Sequence, residues 1–274
     1  MNETSVNIAS EETPVAANIA GVGLLKKAFQ ILDLFADERS NWTQSDLARE
    51  TQLARSTLSR LVRFLCASGY LMEQRGRYTL GFAAIDLGRR AQLQFDLVGL
   101  CQGLLEELAQ TTAETIILTG YDEVHASVVC LAQIPSRQGG LRVFEQIGTA
   151  YPLHSGATSK AVLAFLPPRQ IATILAGNLT GVNPSSTIGA DALRAQLDRV
   201  RADGFVVTHE ETYPGVVGIA VPVLTPRGQP LGSIAIAAPT QRMDQKQIDA
   251  YAKLLAEAGR RVANGLTGTP NGDT

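Results

Sequence analysis

The apolar residues near the start of the chain recur with the period of α-helices. A first amphipathic helix is predicted because its apolar members lie mostly three or four positions apart; they are Leu24, Leu25, Phe29, Leu32 and Phe35. Thr43 is expected to cap a second helix, with Asp46 completing a capping box three residues later. A third helix is predicted from about Ala54 to Ser68, with Gly69 as its C-terminal stop. Its buried stripe consists of Leu58, Leu61, Val62 and Leu65.

Two short runs with the pattern of β-strands follow the third helix, at residues 70–74 and 77–80. Arg75 and Gly76 join them as the turn of a small hairpin. Three helices and a hairpin in this order predict a winged helix-turn-helix domain.

The pattern is helical again from residue 82 to about 113, which indicates two consecutive helices connecting two domains. Beyond residue 113 short apolar runs separated by turn residues alternate with helical segments, which favours a mixed α/β domain with helices packed on one sheet. The fold class is therefore expected to be α+β. Helices are predicted at residues 156–166, 190–203 and 243–264, stopped by Pro167-Pro168 in the first case and Gly204 in the second. Strands are predicted at residues 115–120, 126–134, 142–147, 205–208, 216–224 and 231–238.

Basic residues are concentrated in the first domain. Residues 19–82 carry nine Lys and Arg against six Asp and Glu, whereas the rest of the chain carries a net charge of −5. From Arg55 to Arg77 five basic residues face one acidic residue. A basic patch confined to one small domain is typical of a DNA-binding module attached to a neutral or acidic sensor.

Composition excludes several other classes of protein. The chain has 274 residues, of which 45% are hydrophobic and 18% charged, as in globular proteins with two domains. The longest apolar run, residues 216–224, is far shorter than the ~20 residues that span a bilayer, and residues 1–12 hold three acids and no base, unlike a signal peptide. Three cysteines without metal-type spacing favour a reducing cytoplasm. We expect a cytoplasmic protein without membrane contact, metal or cofactor.

The polar face of the third helix is the candidate DNA-reading surface. The first residues of a recognition helix reach base edges in the major groove, and arginine can pair with guanine through two hydrogen bonds. The tip of the hairpin would lie along the DNA backbone or in the minor groove. The alternative is a solvated face of a helical protein-interaction domain. The candidate DNA-binding residues are Thr43, Gln44, Arg55, Ser56, Thr57, Ser59, Arg60, Arg75 and Arg77.

These segments resemble the IclR-type transcriptional regulators. The resemblance covers about residues 20–265, with motifs of both domains in the family's order. In the first domain it rests on residues 23–33 (GLLKKAFQILD), Leu47-Ala48, Ser56-Thr57, Arg60-Leu61 and residues 76–81 (GRYTLG). In the second domain it rests on residues 151–155 (YPLHS), 160–164 (KAVLA), Glu210-Glu211, Gly215 and residues 219–222 (IAVP).

The resemblance implies a GAF-like sensor domain, a dimer or dimer of dimers on double-stranded operator DNA, and control of a catabolic operon by a small organic acid. With it we expect a flexible acidic tail at residues 1–18 and a winged helix-turn-helix domain at 19–82. A helical linker with a part in dimerisation is expected at 83–100, an effector-binding domain at 101–265, and a flexible tail at 266–274. The regulator is expected to be a repressor.

A turn at residues 154–159 leads from a predicted strand into the helix of Lys160 and is the candidate carboxylate site. Free amides and the positive end of a helix attract anions, and by resemblance the amides near Ala157 and Thr158 bind the acid group of the effector. The alternative is a helix cap that satisfies only itself. Relatives often carry Cys or Ser where this chain has Gly218, Ala235 and Ala237, which favours an effector with an apolar body, such as an aromatic or short-chain acid. The candidate effector-binding residues are Ser155, Gly156, Ala157, Thr158, His209, Gly218, Ile219, Ala235 and Ala237.

Catalysis and metal binding find little support in the sequence. The histidines are not spaced as local metal-binding pairs. Glu210 and Glu211 are adjacent, so on a strand they would point to opposite faces and make a poor acid–base pair. We therefore expect a protein that is not an enzyme. The alternatives are a small-molecule hydrolase or lyase with an accessory DNA-binding domain, and a protein-binding module whose helix-turn-helix mediates only subunit contacts.

Overall fold

A computed structural model describes residues 22–35, 39–94, 97–138, 143 and 145–268. The described residues fall into two compact units, one up to residue 94 and the other from residue 97. The N-terminal tail expected at residues 1–18 lies outside the described residues, as do residues 269–274. Residues 266–268 of the expected C-terminal tail belong instead to the last helix.

The first unit combines four helices with a small antiparallel sheet among its described residues. The sheet has the order β1-β3-β2, in which Trp42 pairs with Tyr78 and Gln74 with Arg77. The winged helix-turn-helix predicted from the sequence is confirmed, and β1 is an addition, since two residues are too few to show alternation. The elements are α1 (Gly23–Leu32), β1 (Trp42–Thr43), α2 (Gln44–Thr51), α3 (Arg55–Ala67), β2 (Leu71–Gln74), β3 (Arg77–Leu80) and α4 (Phe82–Gln94).

Local contacts explain why these helices begin and end where they do. The Thr43 hydroxyl accepts a hydrogen bond from the Asp46 amide at 3.2 Å and donates one to the Asp46 carboxylate at 2.9 Å, so the predicted cap is confirmed. Gly69 follows α3 with a φ of +76°, a conformation that ends helices at glycine. All four residues of the predicted stripe of α3 are buried.

The apolar residues of α1 do not all face inward. Ala28 and Ile31 are buried in the core of the first unit, whereas Leu24, Leu25 and Phe29 are each more than half exposed. The helix is amphipathic as predicted, but the sequence pattern merged two apolar faces into one. The outer face therefore leaves apolar side chains on the surface.

The described part of the second unit is built on a six-stranded antiparallel sheet with helices on both faces. The strand order is β6-β5-β4-β9-β8-β7. One face packs against α5 and α9, and the other against α6, α7 and α8. The elements are α5 (Leu97–Thr112), β4 (Thr115–Asp122), β5 (Ser127–Ile134), β6 (Ala150–Pro152), α6 (Ala157–Leu163), α7 (Pro168–Leu175), α8 (Ala190–Asp203), β7 (Val206–His209), β8 (Val216–Leu224), β9 (Pro230–Pro239) and α9 (Gln245–Gly268).

The second unit differs from the sequence prediction in several details, among them β6 (Ala150–Pro152) and α7 (Pro168–Leu175), which were not predicted. The prediction of a strand at residues 142–147 is wrong, because the described residues of this segment form no strand. Their backbone groups form hydrogen bonds with side chains instead of with a neighbouring strand. Thr115 Oγ1 donates to the Val143 carbonyl, and Gln133 Oε1 accepts from the Glu145 amide. The helix expected to end at Pro167-Pro168 ends at Leu163, and Pro168 begins α7. Proline is well suited to a first helical position because its missing N–H would be unpaired there.

Candidate functional site

The exposed face of α3 carries the polar residues predicted to contact DNA. Arg55, Ser56 and Arg60 are exposed, and Thr57 and Ser59 are half-buried. Ser56 and Arg60 lie opposite the buried stripe of the helix and the other three flank it, so together they form a face that can enter a groove. The structure thus brings these five predicted residues together.

The arginines of the first unit divide into paired and unpaired side chains. Arg39 and Arg49 both bond to the Asp46 carboxylate, at 2.6 and 2.9 Å. The pKa of Asp46 is lowered chiefly by its hydrogen bond with the Thr43 hydroxyl and further by these two arginines. Within the described residues, Arg55 and Arg60 form no ion pair. Their charge is therefore available to phosphates or bases.

The tip of the hairpin presents a second basic group. Arg75 and Gly76 both have positive φ, 53° and 75°, as a two-residue hairpin turn of type I′ requires. Arg75 is exposed, and Arg77 donates to the Asn41 side chain at 2.8 Å.

The two predicted contacts at the start of α2 differ in their surroundings. The hydroxyl of Thr43 is committed to the cap of the helix. Gln44 is exposed.

The second unit contains a cavity between the start of α6, the loop after β7 and the sheet. It encloses about 30 Å³, and the empty space reaches about 390 Å³ only when the opening to solvent is included. Of the predicted effector-binding residues, five line it: Ala157, Thr158, Gly218, Ala235 and Ala237. The described lining also includes residues that the sequence did not suggest: Ile117, Val143, Glu145, Thr208, Glu211, Thr212, Tyr213 and Val216.

Four predicted effector-binding residues are not among the lining residues. Ile219 is fully buried in the core on the other face of the sheet, because neighbours on a strand point in opposite directions. His209 is exposed at the end of β7. Ser155 donates to the Glu211 carbonyl at 3.3 Å, and the Gly156 amide donates to the Glu211 carboxylate at 3.0 Å.

A buried ion pair holds the start of α6 to the loop after β7. Lys160 is fully buried, and its ammonium group donates to Glu211 at 2.6 Å and to Gln196 at 2.7 Å. The other carboxylate oxygen of Glu211 accepts from the Gly156 amide at 3.0 Å. Burial lowers the pKa of Lys160, and the Glu211 carboxylate opposes that change. The Gly156 amide, expected to be free for an effector, is therefore occupied by the protein's own carboxylate.

Three threonine hydroxyls lie near the point where α6 meets β8; we call Thr158, Thr208 and Thr212 the threonine cluster. A side-chain Cβ at Gly218 would lie 3.1 Å from the Ala157 Cβ and 3.2 Å from the Thr208 hydroxyl, and one at Gly156 would lie 3.0 Å from the Thr212 hydroxyl. Within the described residues these hydroxyls have no hydrogen-bond partner in the protein. They can therefore bind a ligand oxygen.

Glu145 provides a second polar part of the wall. Glu145 is buried near the Tyr151 hydroxyl, which lies 2.9 Å from the Tyr213 hydroxyl. Burial raises the pKa of Glu145, and the nearby Tyr151 hydroxyl partly offsets this rise. No sequence signal identified Glu145, since it lay in the segment interpreted as a strand.

Metal clusters and membrane-spanning helices are considered for the described residues alone. Among them, no cluster of three or more His, Cys, Asp or Glu side chains is placed to hold a metal ion. None of the described helices combines the length and apolar character needed to span a bilayer.

Comparison with known proteins gives matches over both units. The family model for the IclR helix-turn-helix domain matches residues 24–75, and the model for the C-terminal part of the bacterial transcriptional regulator IclR matches residues 91–264. The HTH-type transcriptional regulator KdgR of Escherichia coli K12 is 30% identical over 245 residues, which are 88% of this chain and 92% of that protein. The HTH-type transcriptional repressor AllR of Klebsiella pneumoniae is 23% identical over 256 residues, 92% of this chain and 93% of that protein.

Solved structures show the same fold. An IclR homologue from Microbacterium hydrocarbonoxydans, crystallised with 4-hydroxybenzoate, superposes with a TM-score of 0.79 at 22% identity, covering 90% of this chain and 100% of that one. The family models together match far more than half of the chain, and KdgR is similar over most of its length. The chain therefore belongs to the IclR family of bacterial transcriptional regulators.

Proposed function

We propose that this ligand-responsive DNA-binding regulator represses a catabolic operon until a small carboxylic acid occupies the cavity of its second unit. The observation that carries the proposal is the cavity itself, which combines an apolar floor with the hydroxyls of the threonine cluster. An apolar pocket with a few polar groups is the usual form of a small-molecule site. Repression is favoured because AllR, similar over most of its length, is a repressor.

The operator contacts are assigned to α3 and the hairpin. Arg55 and Arg60 would read base edges, since they are exposed at the start of the recognition helix and form no ion pair within the described residues. Arg75 and Arg77 would contact the DNA backbone from the tip of the hairpin. Thr43 would act through the cap of α2 rather than by touching DNA.

The effector is assigned to the cavity between the threonine cluster and the floor formed by Ala235 and Ala237. Hydroxyls and the backbone amides near Thr158 would bind its carboxylate. The homologue crystallised with 4-hydroxybenzoate supports an acid of this size. Binding of the effector and binding of the operator would be coupled with opposite preference. Each of the two would therefore lower the affinity of the protein for the other by the same factor.

The active species is proposed to be a dimer or a dimer of dimers. A single helix-turn-helix reads a short site, and paired modules read half-sites about 10 base pairs apart or a multiple of it. The first unit supports pairing with large apolar side chains on its surface: Leu24, Leu25, Phe29, Phe64, Phe82 and Ile85. Light scattering should give at least a dimer at micromolar concentration, and a monomer with and without DNA would contradict this proposal.

The proposal as a whole is tested by mobility-shift assays on DNA from the neighbouring intergenic region, with and without a panel of small carboxylic acids. We expect a retarded protein–DNA complex whose affinity falls with rising salt concentration. One class of acid should dissociate this complex. Binding that ignores every acid would contradict the assigned effector site, and absence of salt-dependent binding would contradict the assigned DNA site.

The alternative of a hydrolase or lyase is not favoured. Glu211, the carboxylate nearest the start of α6, is bonded to Lys160 and the Gly156 amide rather than free to transfer protons. The described lining offers no histidine or cysteine to act with a hydroxyl as base or nucleophile.

A further inference from the structure

One wall of the cavity is formed by backbone that belongs to no strand. Val143 and Glu145 both line the cavity and are buried, yet neither lies in a β-strand. Buried backbone groups outside a sheet need other hydrogen-bond partners. For these two residues the partners are side chains of two neighbouring strands, Thr115 on β4 and Gln133 on β5.

Thr115 lies where the floor of the cavity meets this wall. It is fully buried, lies directly across from the floor residue Ala237 of β9, and shares a face of β4 with the floor residue Ile117. Its hydroxyl donates to the Val143 carbonyl at 2.9 Å and accepts from the Ser136 amide at 3.1 Å. Thr115 therefore ties the wall to the floor.

Gln133 supports the same wall from the next strand. It lies across from Ile117 in the pairing of β5 with β4, and its side-chain oxygen accepts from the Glu145 amide at 2.7 Å. The two side chains thus hold alternate residues of the wall, Val143 and Glu145. They replace the ladder of backbone hydrogen bonds that would hold a strand in this place.

The enclosed space is so small that the position of this wall decides what fits. The cavity encloses about 30 Å³, which is room for about one or two water molecules. A ligand must therefore extend into the opening or displace a wall. Displacing Val143 would break its bond to Thr115 and leave a buried carbonyl without a donor, which is costly.

We propose that Thr115, with Gln133 as a second support, sets the upper size limit of the effector by holding Val143 and Glu145 in place. Both are positioning residues, since they act through the wall and are not among the lining residues. The inference rests on the proposed function, because it takes the cavity as the site of a small carboxylic acid. The effector class is then a short-chain or single-ring acid, and a fused-ring acid is rejected.

The test is calorimetric titration of the full-length protein with propionate, benzoate and 2-naphthoate, three monocarboxylates of increasing size. In the wild-type protein 2-naphthoate should bind at least about tenfold more weakly than the better of the two smaller acids, because extra volume is forced into a packed site. Thr115→Val keeps the shape of the side chain and loses both hydrogen bonds, so this ratio should fall to about threefold or less. Thr115→Ser keeps the hydroxyl and should preserve the ratio.

The ratio distinguishes a displaced wall from a general loss of stability, which lowers the affinities for all three acids alike. Thr119→Val is the matched control on the same strand. Thr119 is also buried, and its hydroxyl bonds to Ser233 at 2.8 Å rather than to the wall, so the ratio should stay unchanged. Gln133→Leu removes the second support at a half-buried position and should lower the ratio. It decides the question should Thr115→Val fail to fold.

The outcomes separate this inference from the proposed function. A protein that binds none of the three acids contradicts the assigned effector site, and the inference fails with it. If acids bind but 2-naphthoate binds as tightly as the smaller acids in the wild-type protein, the inference alone fails. It also fails alone if neither Thr115→Val nor Gln133→Leu lowers the ratio, or if Thr119→Val lowers it equally.

Discussion

Replacing Lys160 by methionine is expected to lower the free energy of unfolding of the second unit by about 3–5 kcal/mol. Methionine keeps much of the apolar stem but removes the ammonium group, so Glu211 loses a partner at 2.6 Å and Gln196 one at 2.7 Å. The Glu211 side chain is only 15% exposed, and among the described residues the Gly156 amide remains as donor to its carboxylate. The magnitude comes from an uncompensated buried charge rather than from lost packing.

A double-mutant cycle distinguishes this reason from a simple packing defect. The double variant Lys160→Met/Glu211→Gln leaves no buried charge, so it should be more stable than the sum of the two single changes predicts, by about 1–3 kcal/mol. The control Lys253→Met makes the same chemical change at an exposed position of α9. It should alter stability by no more than about 0.5 kcal/mol.

Urea unfolding followed by two probes measures the effect. Far-UV circular dichroism reports on both units, whereas the fluorescence of Trp42, the single tryptophan of the chain, reports on the core of the first unit. In Lys160→Met we expect the dichroism transition of the second unit to move to a lower urea concentration. The midpoint of the Trp42 fluorescence transition should stay where it is in the wild-type protein. Strictly additive single and double variants, or an unchanged dichroism transition, would refute the assignment of Lys160 and Glu211 as a stabilising pair.

Three further predictions concern the DNA face, the thiols and the cavity. Arg60→Ala should weaken operator binding by about 1–3 kcal/mol and relax base preference, which fluorescence anisotropy on operator and mutated sites would measure; equal affinity for both proteins would contradict it. Burial raises the pKa of Cys101 to about 11 and that of Cys130 to about 12, so at pH 8 a thiol reagent should label half-buried Cys66 first and the other two only in urea. Ala237→Leu should fill the cavity floor and abolish acid binding in calorimetry while operator affinity remains, unlike the same change at an exposed alanine of α8.

Much of the fold could be predicted because its local signals agree with the packing. The buried stripe of α3, the cap at Thr43 and the stop at Gly204 each depend on residues within one helix and its ends. The bounds of α8 and β8 were predicted to the residue. Pro168 was misinterpreted because a proline that stops one helix can equally begin another.

The site was harder to predict because its parts come together only in the folded sheet. Period-two alternation could have excluded Ile219 once Gly218 was assigned to the cavity. Lys160 within an apolar helix could have signalled a buried counter-ion, but its partner Glu211 is 51 residues away. Glu145 gave no sequence signal, since its position depends on a side-chain contact with Gln133 rather than on a strand.

The most direct test of ligand control is to measure the coupling in both directions on the same protein. The operator dissociation constant is determined with and without saturating acid, and the acid dissociation constant with and without saturating operator. The account predicts that each ligand weakens the other by the same factor, between about 5-fold and 150-fold, and that Ala237→Leu removes the effect of acid on operator binding. Operator affinity that is equal with and without an acid bound in the cavity would contradict it.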